Sequence, residues 1–201
     1  MLPQREVEKY DFVSTENGKT AAIVEKDGRL IIKGKMWSDG ALYNEYAPAK
    51  DFYKIQKKFY PNGIMRRKTI LFGGVPIGIY EEYDEAGNLI KLVDEDKKFG
   101  KIKPRDIVEF LEKEGWFNRE TGENKILKET PHKTDGSFYR DLMKSFFITF
   151  TPAVIEDGKE VAPPKWYIRV TPEMNYWMTR YVVNGNTGEF TKKEEYVIKY
   201  I

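Results

Sequence analysis

The sequence contains no cysteine and a single histidine among its 201 residues. The absence of cysteine excludes disulfide frameworks, thiolate zinc sites, iron–sulfur clusters and cysteine nucleophiles. The one histidine, His132, lies in a polar stretch without an orienting partner nearby in sequence, which predicts a solvated loop residue rather than a general base. Serine-hydrolase, Walker and dinucleotide-binding signatures are missing too. We therefore expect a protein without enzymatic activity, metal or cofactor.

Long apolar runs are also missing. The most apolar stretch, residues 146–155, is broken by threonine and by Pro152, and it is far shorter than the roughly 20 residues that a membrane helix needs. Residues 1–6 lack the apolar core of a signal peptide. These features predict a protein without a transmembrane segment in the cytoplasm, or in the periplasm if a leader has been removed.

The chain has no excess of charge of one sign, with 34 Lys and Arg against 32 Asp and Glu. This balance argues against a generally basic nucleic-acid binder, so we do not expect nucleic acid as the partner. Aromatic residues, by contrast, make up 14% of the chain. Aromatic side chains favour strands and binding faces, so the composition predicts a sheet-rich binding protein.

Turn signals recur at a regular spacing in the first half of the chain. Asp-Gly, Asn-Gly and Gly-Asn pairs favour tight hairpin turns, and they occur at 27–28, 39–40, 62–63 and 87–88. Gly40, Gly63 and Gly87 are 23 and 24 residues apart, and in each copy an aromatic residue precedes the turn and an aliphatic residue follows it. This period predicts stacked hairpin repeats over residues 1–100, the alternative being an ordinary all-β protein with evenly spaced hairpins.

The pattern changes after residue 100. Pro104 suits a first helical turn and Gly115 suits a helix end, and the residues between them have helical apolar spacing, which predicts a helix over about 104–114. Strands are predicted at 145–150, 166–170, 177–183 and 195–201, while 137–144 fits helix or strand. The expected fold class is β-dominated α+β, with an N-terminal antiparallel sheet of hairpin repeats (1–100) and a smaller helix-plus-sheet region (101–201).

The segment 74–89 resembles a MORN-variant repeat. It has glycine, three residues, a second glycine, an aromatic residue two positions later, and then a glycine turn followed by leucine. The copy at 60–63 is similar without the leading glycine pair, and the copies around Gly28 and Gly40 depart further. The resemblance covers roughly residues 20–93 and is closest over 59–89. The second half resembles PepSY-like modules weakly, through 181–189, where Asn184 replaces the usual acidic residue.

Bacterial proteins of this repeat type are often labelled antitoxin-like or immunity-like. The resemblance therefore implies a scaffold that binds and neutralises a cognate toxin, with no catalytic residues to carry over. This inference is by analogy, since a repeat specifies architecture better than ligand. Eukaryotic relatives of the repeat suggest an alternative function, binding to anionic lipid at a membrane surface.

Candidate binding residues come from the uneven distribution of charge. Residues 51–80 hold six basic residues against Asp51 alone, whereas residues 81–130 hold fourteen acidic and ten basic residues. The basic candidates are Lys54, Lys58, Arg66 and Arg67, and the acidic candidates are Glu81, Glu82 and Asp84. A solvated lysine face on a half-buried strand and a solvated acidic run explain the same residues without any partner. A hydrolase with two facing carboxylates in a cleft is a further alternative.

Overall fold

The structure, a computed structural model, describes residues 7–10, 21–36, 40–127, 134–172 and 177–196. Among these described residues, 50% are strand and 13% are helix, so the fold is β-dominated, and its first sheet precedes a smaller region of helices and sheet. The predicted fold class is therefore confirmed. His132 and the residues before Gly40 in the second predicted turn lie outside the described ranges.

Seven strands of the first half form one antiparallel sheet in which each strand pairs with the next in sequence. The strands are β1 (Ala21–Val24), β2 (Leu30–Met36), β3 (Gly40–Tyr46), β4 (Lys54–Phe59), β5 (Met65–Phe72), β6 (Val75–Tyr83) and β7 (Leu89–Asp94). The turn signals at 27–28, 62–63 and 87–88 lie in connections between antiparallel neighbours, as predicted, whereas the β3–β4 loop (47–53) and the β5–β6 turn (73–74) were not among the predicted turns.

Two of these turns contact each other at the predicted period. The Tyr60 hydroxyl donates to the Tyr83 carbonyl at 3.0 Å, and the Asn62 side-chain amide donates to the Glu85 carbonyl at 3.0 Å. Both pairs are 23 residues apart. Equivalent positions of consecutive hairpins therefore stack side by side at this end of the sheet.

The second half contains a four-stranded antiparallel sheet, an additional hairpin and two described helices. The strands of this sheet are β8 (Phe146–Thr151), β11 (Lys165–Val170), β12 (Trp177–Asn184) and β13 (Phe190–Tyr196). They lie in the order β13-β12-β11-β8. The hairpin is β9 (Val154–Glu156) and β10 (Lys159–Ala162), the helices are α1 (Pro104–Lys113) and α2 (Gly136–Leu142), and a 3-10 helix spans Glu95–Lys98.

Most of the predicted elements of this half are confirmed, with three differences. Helix α1 ends one residue earlier than predicted, with Glu114 as its C-cap and Gly115 at φ +74° directly behind it. The ambiguous stretch forms helix α2, which Asp135 caps by accepting from the Ser137 backbone amide at 2.8 Å. The last described strand begins at Phe190 rather than 195, because the Asn184–Gly188 turn reverses the chain at once, and residues 197–201 of the predicted strand lie outside the described ranges.

One hydrophobic core joins the two halves. Phe52, from the β3–β4 loop, and Phe72, at the end of β5, pack in the same cluster as α1, α2 and the inner face of the four-stranded sheet. The Phe52 ring lies 4.9 Å from the Phe117 ring and 4.9 Å from the Tyr139 ring. A separate, smaller cluster lies at the other end of the seven-stranded sheet and includes Phe59 and Tyr83. The division near residue 100 into two domains stays a prediction.

Candidate functional site

The middle of the seven-stranded sheet is open on both faces. All five residues from Lys54 to Lys58 are partly exposed. Because successive residues of a strand point to opposite sides, solvent reaches both faces of the sheet at β4. Most buried apolar residues of this sheet lie near the strand ends and in the two clusters, whereas the polar residues Asn44 and Glu81 are buried within β3 and β6. The sheet therefore presents two extended, partly solvated faces that are held in place from their ends.

One face carries a row of charged side chains across four neighbouring strands. Lys58 on β4 pairs with Arg67 on β5, Arg67 pairs with Glu82 on β6, and Glu82 pairs with Lys91 on β7. Directly paired residues of neighbouring strands have their Cβ atoms about 5 Å apart. The four side chains thus form a continuous row, which we call the charged face.

Tyr80 supports the acidic member of this row. Its hydroxyl donates to Glu82 Oε2 at 2.9 Å, and the Lys91 ammonium lies 5.5 Å from the Tyr80 ring centroid. Burial, followed by the carboxylate of Glu82, raises the pKa of Tyr80, so this hydroxyl stays protonated as a donor at neutral pH. The position of the Glu82 carboxylate within the row is therefore fixed.

The first two members of the row are cations that face each other. Within the described ranges, Lys58 has no carboxylate within 4.0 Å of its ammonium. Like charges directly opposite each other destabilise a sheet. On the other side of the same two strands, Lys57 is opposite Lys68, but there Glu8 Oε2 lies 2.7 Å from the Lys57 ammonium. The charged face thus places two cations side by side at one end of the row, with the Glu82 carboxylate next to the second of them.

The structure brings together three of the seven predicted site residues, namely Lys58, Arg67 and Glu82. Lys54 is on the same side of β4 but near the other end of the strand, where its ammonium lies 5.9 Å from the Tyr46 ring and burial lowers its pKa. Arg66 is exposed, with its guanidinium 5.5 Å from the Tyr60 ring.

The other two acidic candidates have local structural roles. Glu81 is only 7% exposed on the opposite side of β6 from Glu82, and it accepts a hydrogen bond from the Tyr83 hydroxyl at 3.3 Å. Asp84 holds the β6–β7 turn by accepting from the backbone amides of Ala86 and Asn88 at 3.0 and 2.8 Å. Hydrogen bonds from Asn88 lower the pKa of Asp84. Neither residue belongs to the charged face. Glu81 is buried rather than solvated, whereas the Asp84 carboxylate is partly exposed and hydrogen-bonded within its turn.

Sequence reasoning missed Tyr80 and Lys91. Strand alternation places Tyr80 on the same side as Glu82, two residues away, and that signal was present in the sequence. Lys91 lacks such a signal, because its pairing depends on a bulge in the β6–β7 ladder between Glu82 and Tyr83. A one-residue change of register would put Lys91 on the other face.

An open cleft of about 680 Å³ lies between the β3–β4 loop and the start of α1. Its charged lining residues are Lys50, Asp51, Asp96, Lys103, Arg105 and Arg119. Of the two carboxylates, Asp96 accepts from the Gly78 backbone amide at 2.9 Å and so anchors β6. Four cations outnumber the two acids, which differs from the paired-carboxylate site that glycoside hydrolysis requires.

Comparison with models of known protein families, with curated proteins and with solved structures finds no match for this chain. Among the described residues, no group of three or more His, Cys, Asp or Glu side chains could hold a metal ion. None of the helices in the described ranges is long and apolar enough to cross a membrane.

Proposed function

We propose that this chain is a non-enzymatic binding protein of the antitoxin or immunity type, which binds and neutralises a cognate protein toxin through the charged face. The observation that carries the proposal is the row of Lys58, Arg67, Glu82 and Lys91 across four paired strands. Hydrogen-bonded strands hold the Cα and Cβ atoms of these residues in one arrangement, which reduces the loss of backbone entropy on binding. The resemblance of residues 74–89 to a MORN-variant repeat supports the same class of function by analogy.

The charges of the row define the partner's chemistry. Three cations surround one carboxylate, so a complementary surface is mainly acidic and carries a basic group opposite Glu82. Complementary charges speed the encounter of two proteins and select against wrong partners. An acidic side chain of the partner placed between Lys58 and Arg67 would be attracted by both cations, so this end of the row should contribute much of the electrostatic attraction.

Glu82 also favours a protein over an anionic lipid surface. A phosphate headgroup would be attracted by Lys54, Lys58 and Arg67, but it would be repelled by the carboxylate in the middle of the row. A folded protein can match a pattern of mixed sign, whereas a uniformly anionic bilayer cannot. Binding to anionic lipid therefore remains the competing outcome of the experiment.

Co-expression with the product of the adjacent gene tests the proposal. The wild-type chain should restore growth of cells that express this product, and the two proteins should purify as one stoichiometric complex. The double variant Lys58→Glu, Arg67→Glu should lose both effects. Lys113→Glu, on the exposed side of α1, is the matched control and should retain them.

Two results would contradict the proposal. The first is absence of rescue and of a complex with the wild-type chain. The second is full rescue by the double variant, which would place the interface elsewhere. Salt-sensitive binding of the wild type to vesicles containing phosphatidylserine, without any complex with the toxin, would replace the proposal with the lipid alternative.

A further inference from the structure

Among the described residues, no helix or sheet packs on the outer face of the four-stranded sheet over β8 and β11, whereas Met178, on the same side of β12, is only 7% exposed. Alternate residues such as Ile148 and Ile168 are buried on the inner face, where Tyr181 packs edge-on against Phe110 of α1. The residues between them point outward. Phe147 and Tyr167 do so on the adjacent strands β8 and β11, with 56% and 39% of their surfaces exposed.

Strand register aligns these aromatic rings with cations. Phe147 pairs with Arg169, Arg169 with Arg180, and Arg180 with Lys193, which makes one row across all four strands. The Arg169 guanidinium lies 4.6 Å from the Phe147 ring centroid. Tyr167 belongs to the next row and lies diagonal to Phe147, at a spacing of roughly 7–8 Å. We call these five residues the outer aromatic face.

The charge of the outer aromatic face is positive. Its nearest carboxylate, Glu195, lies 3.2 Å from the Arg180 guanidinium and 2.8 Å from the Lys193 ammonium. In the part of the chain that the structure describes, Arg169 has no carboxylate within 4.0 Å. Lys165 adds a further cation two residues before Tyr167 on the same side of β11. One carboxylate thus faces four cations.

We propose that the outer aromatic face binds single-stranded nucleic acid. Exposed aromatic rings stack on unpaired bases of any sequence, and neighbouring cations attract the phosphates that link them. A duplex keeps the faces of its bases stacked internally and offers none to these rings, so the rings select a single strand. The near-neutral composition argues against a generally basic protein, but the register concentrates cations on one face, and local charge decides this kind of binding.

Fluorescence anisotropy with a labelled twelve-nucleotide oligouridine tests the proposal on the full chain. The wild type should bind at 50 mM salt, and log K should fall with log salt at a slope of about −2 to −3 for three to four phosphate contacts. Arg169→Gln should make this slope shallower by about 0.7. Phe147→Ala and Tyr167→Ala should each weaken binding roughly 5- to 150-fold, the range measured for loss of one base–aromatic stack.

Two controls separate stacking from general effects of substitution. Ile90→Ala removes an apolar side chain that is 54% exposed on the other sheet, and it should leave binding unchanged. Lys113→Gln removes one cation from α1, on the far side of the four-stranded sheet, and should have little effect. Melting temperatures of all variants establish that they are folded.

Three results would overturn the proposal. The first is that the wild type does not bind the oligonucleotide at 50 mM salt. The second is that Phe147→Ala and Tyr167→Ala bind it as tightly as Ile90→Ala does. The third is that the wild type binds a duplex of the same length with equal affinity. If the wild type does not bind the oligonucleotide and Phe147→Ala abolishes binding of a protein partner, this face is a protein interface instead.

Discussion

The repulsion between Lys58 and Arg67 makes a prediction that needs no partner. Replacing Lys58 by Gln keeps most of the side chain and removes its charge, so the free energy of unfolding should rise. If the two charges were as close as the paired Cβ atoms, about 5 Å, they would repel by about 0.8 kcal/mol in water, which is the upper bound of the gain. With Debye screening, this bound becomes about 0.7 kcal/mol at 10 mM salt, about 0.4 at 150 mM and about 0.15 at 1 M.

Glu82→Gln should have the opposite sign. Strand register places this carboxylate between Arg67 and Lys91. Neutralising it should therefore lower the free energy of unfolding by about 0.2–1 kcal/mol, the range for opposite charges on neighbouring strands. Urea unfolding at the three salt concentrations measures both variants, with Lys101→Gln, an exposed lysine outside the strands and helices, as the control. If Lys58→Gln destabilised the protein, or if its effect did not change with salt, the interpretation of the row as an electrostatic arrangement would be refuted.

The remaining predictions concern the connections that hold the charged face in place. Tyr139→Phe should lower the free energy of unfolding by about 1–3 kcal/mol in urea, because its buried hydroxyl bonds two backbone groups at the β5–β6 turn; an unchanged midpoint would contradict this. The pKa of the Asp84 carboxyl is lower in the folded chain than in the unfolded chain. The ionised carboxylate therefore contributes to the free energy of unfolding above its unfolded-state pKa, and this contribution is lost as pH falls through its folded-state pKa. Asp84→Asn should therefore make the unfolding midpoint less dependent on pH at the acidic end, as acid titration of both proteins would measure.

Local signals in the sequence were sufficient for the hairpins and the main helix. Asn62-Gly63 gave the β4–β5 turn because Gly63 adopts φ +85° and the Asn62 side chain accepts from the Ile64 amide at 3.0 Å. Helix α1 follows from Pro104 at its start and its apolar spacing. These features depend on residues close in the chain, so composition and spacing predict them.

The site depended on long-range register, which the sequence predicts poorly. Alternation placed Glu81 and Glu82 on opposite faces, but it could not show that Glu81 is buried beside Tyr83. The bulges after Lys58 and Glu82 shift the pairing of β4 with β5 and of β6 with β7, so the row cannot be derived from strand boundaries alone. The shared core was missed for a related reason, because its contacts join residues far apart in the chain.

Isothermal titration of the wild-type chain with the purified product of the adjacent gene tests the central claim most directly. The charged face predicts a saturable complex whose affinity falls as salt rises, and at least a tenfold loss of affinity for Lys58→Glu, Arg67→Glu with no loss for Lys113→Glu. Equal affinity of the wild type and the double variant would contradict the claim that Lys58, Arg67, Glu82 and Lys91 form the binding face.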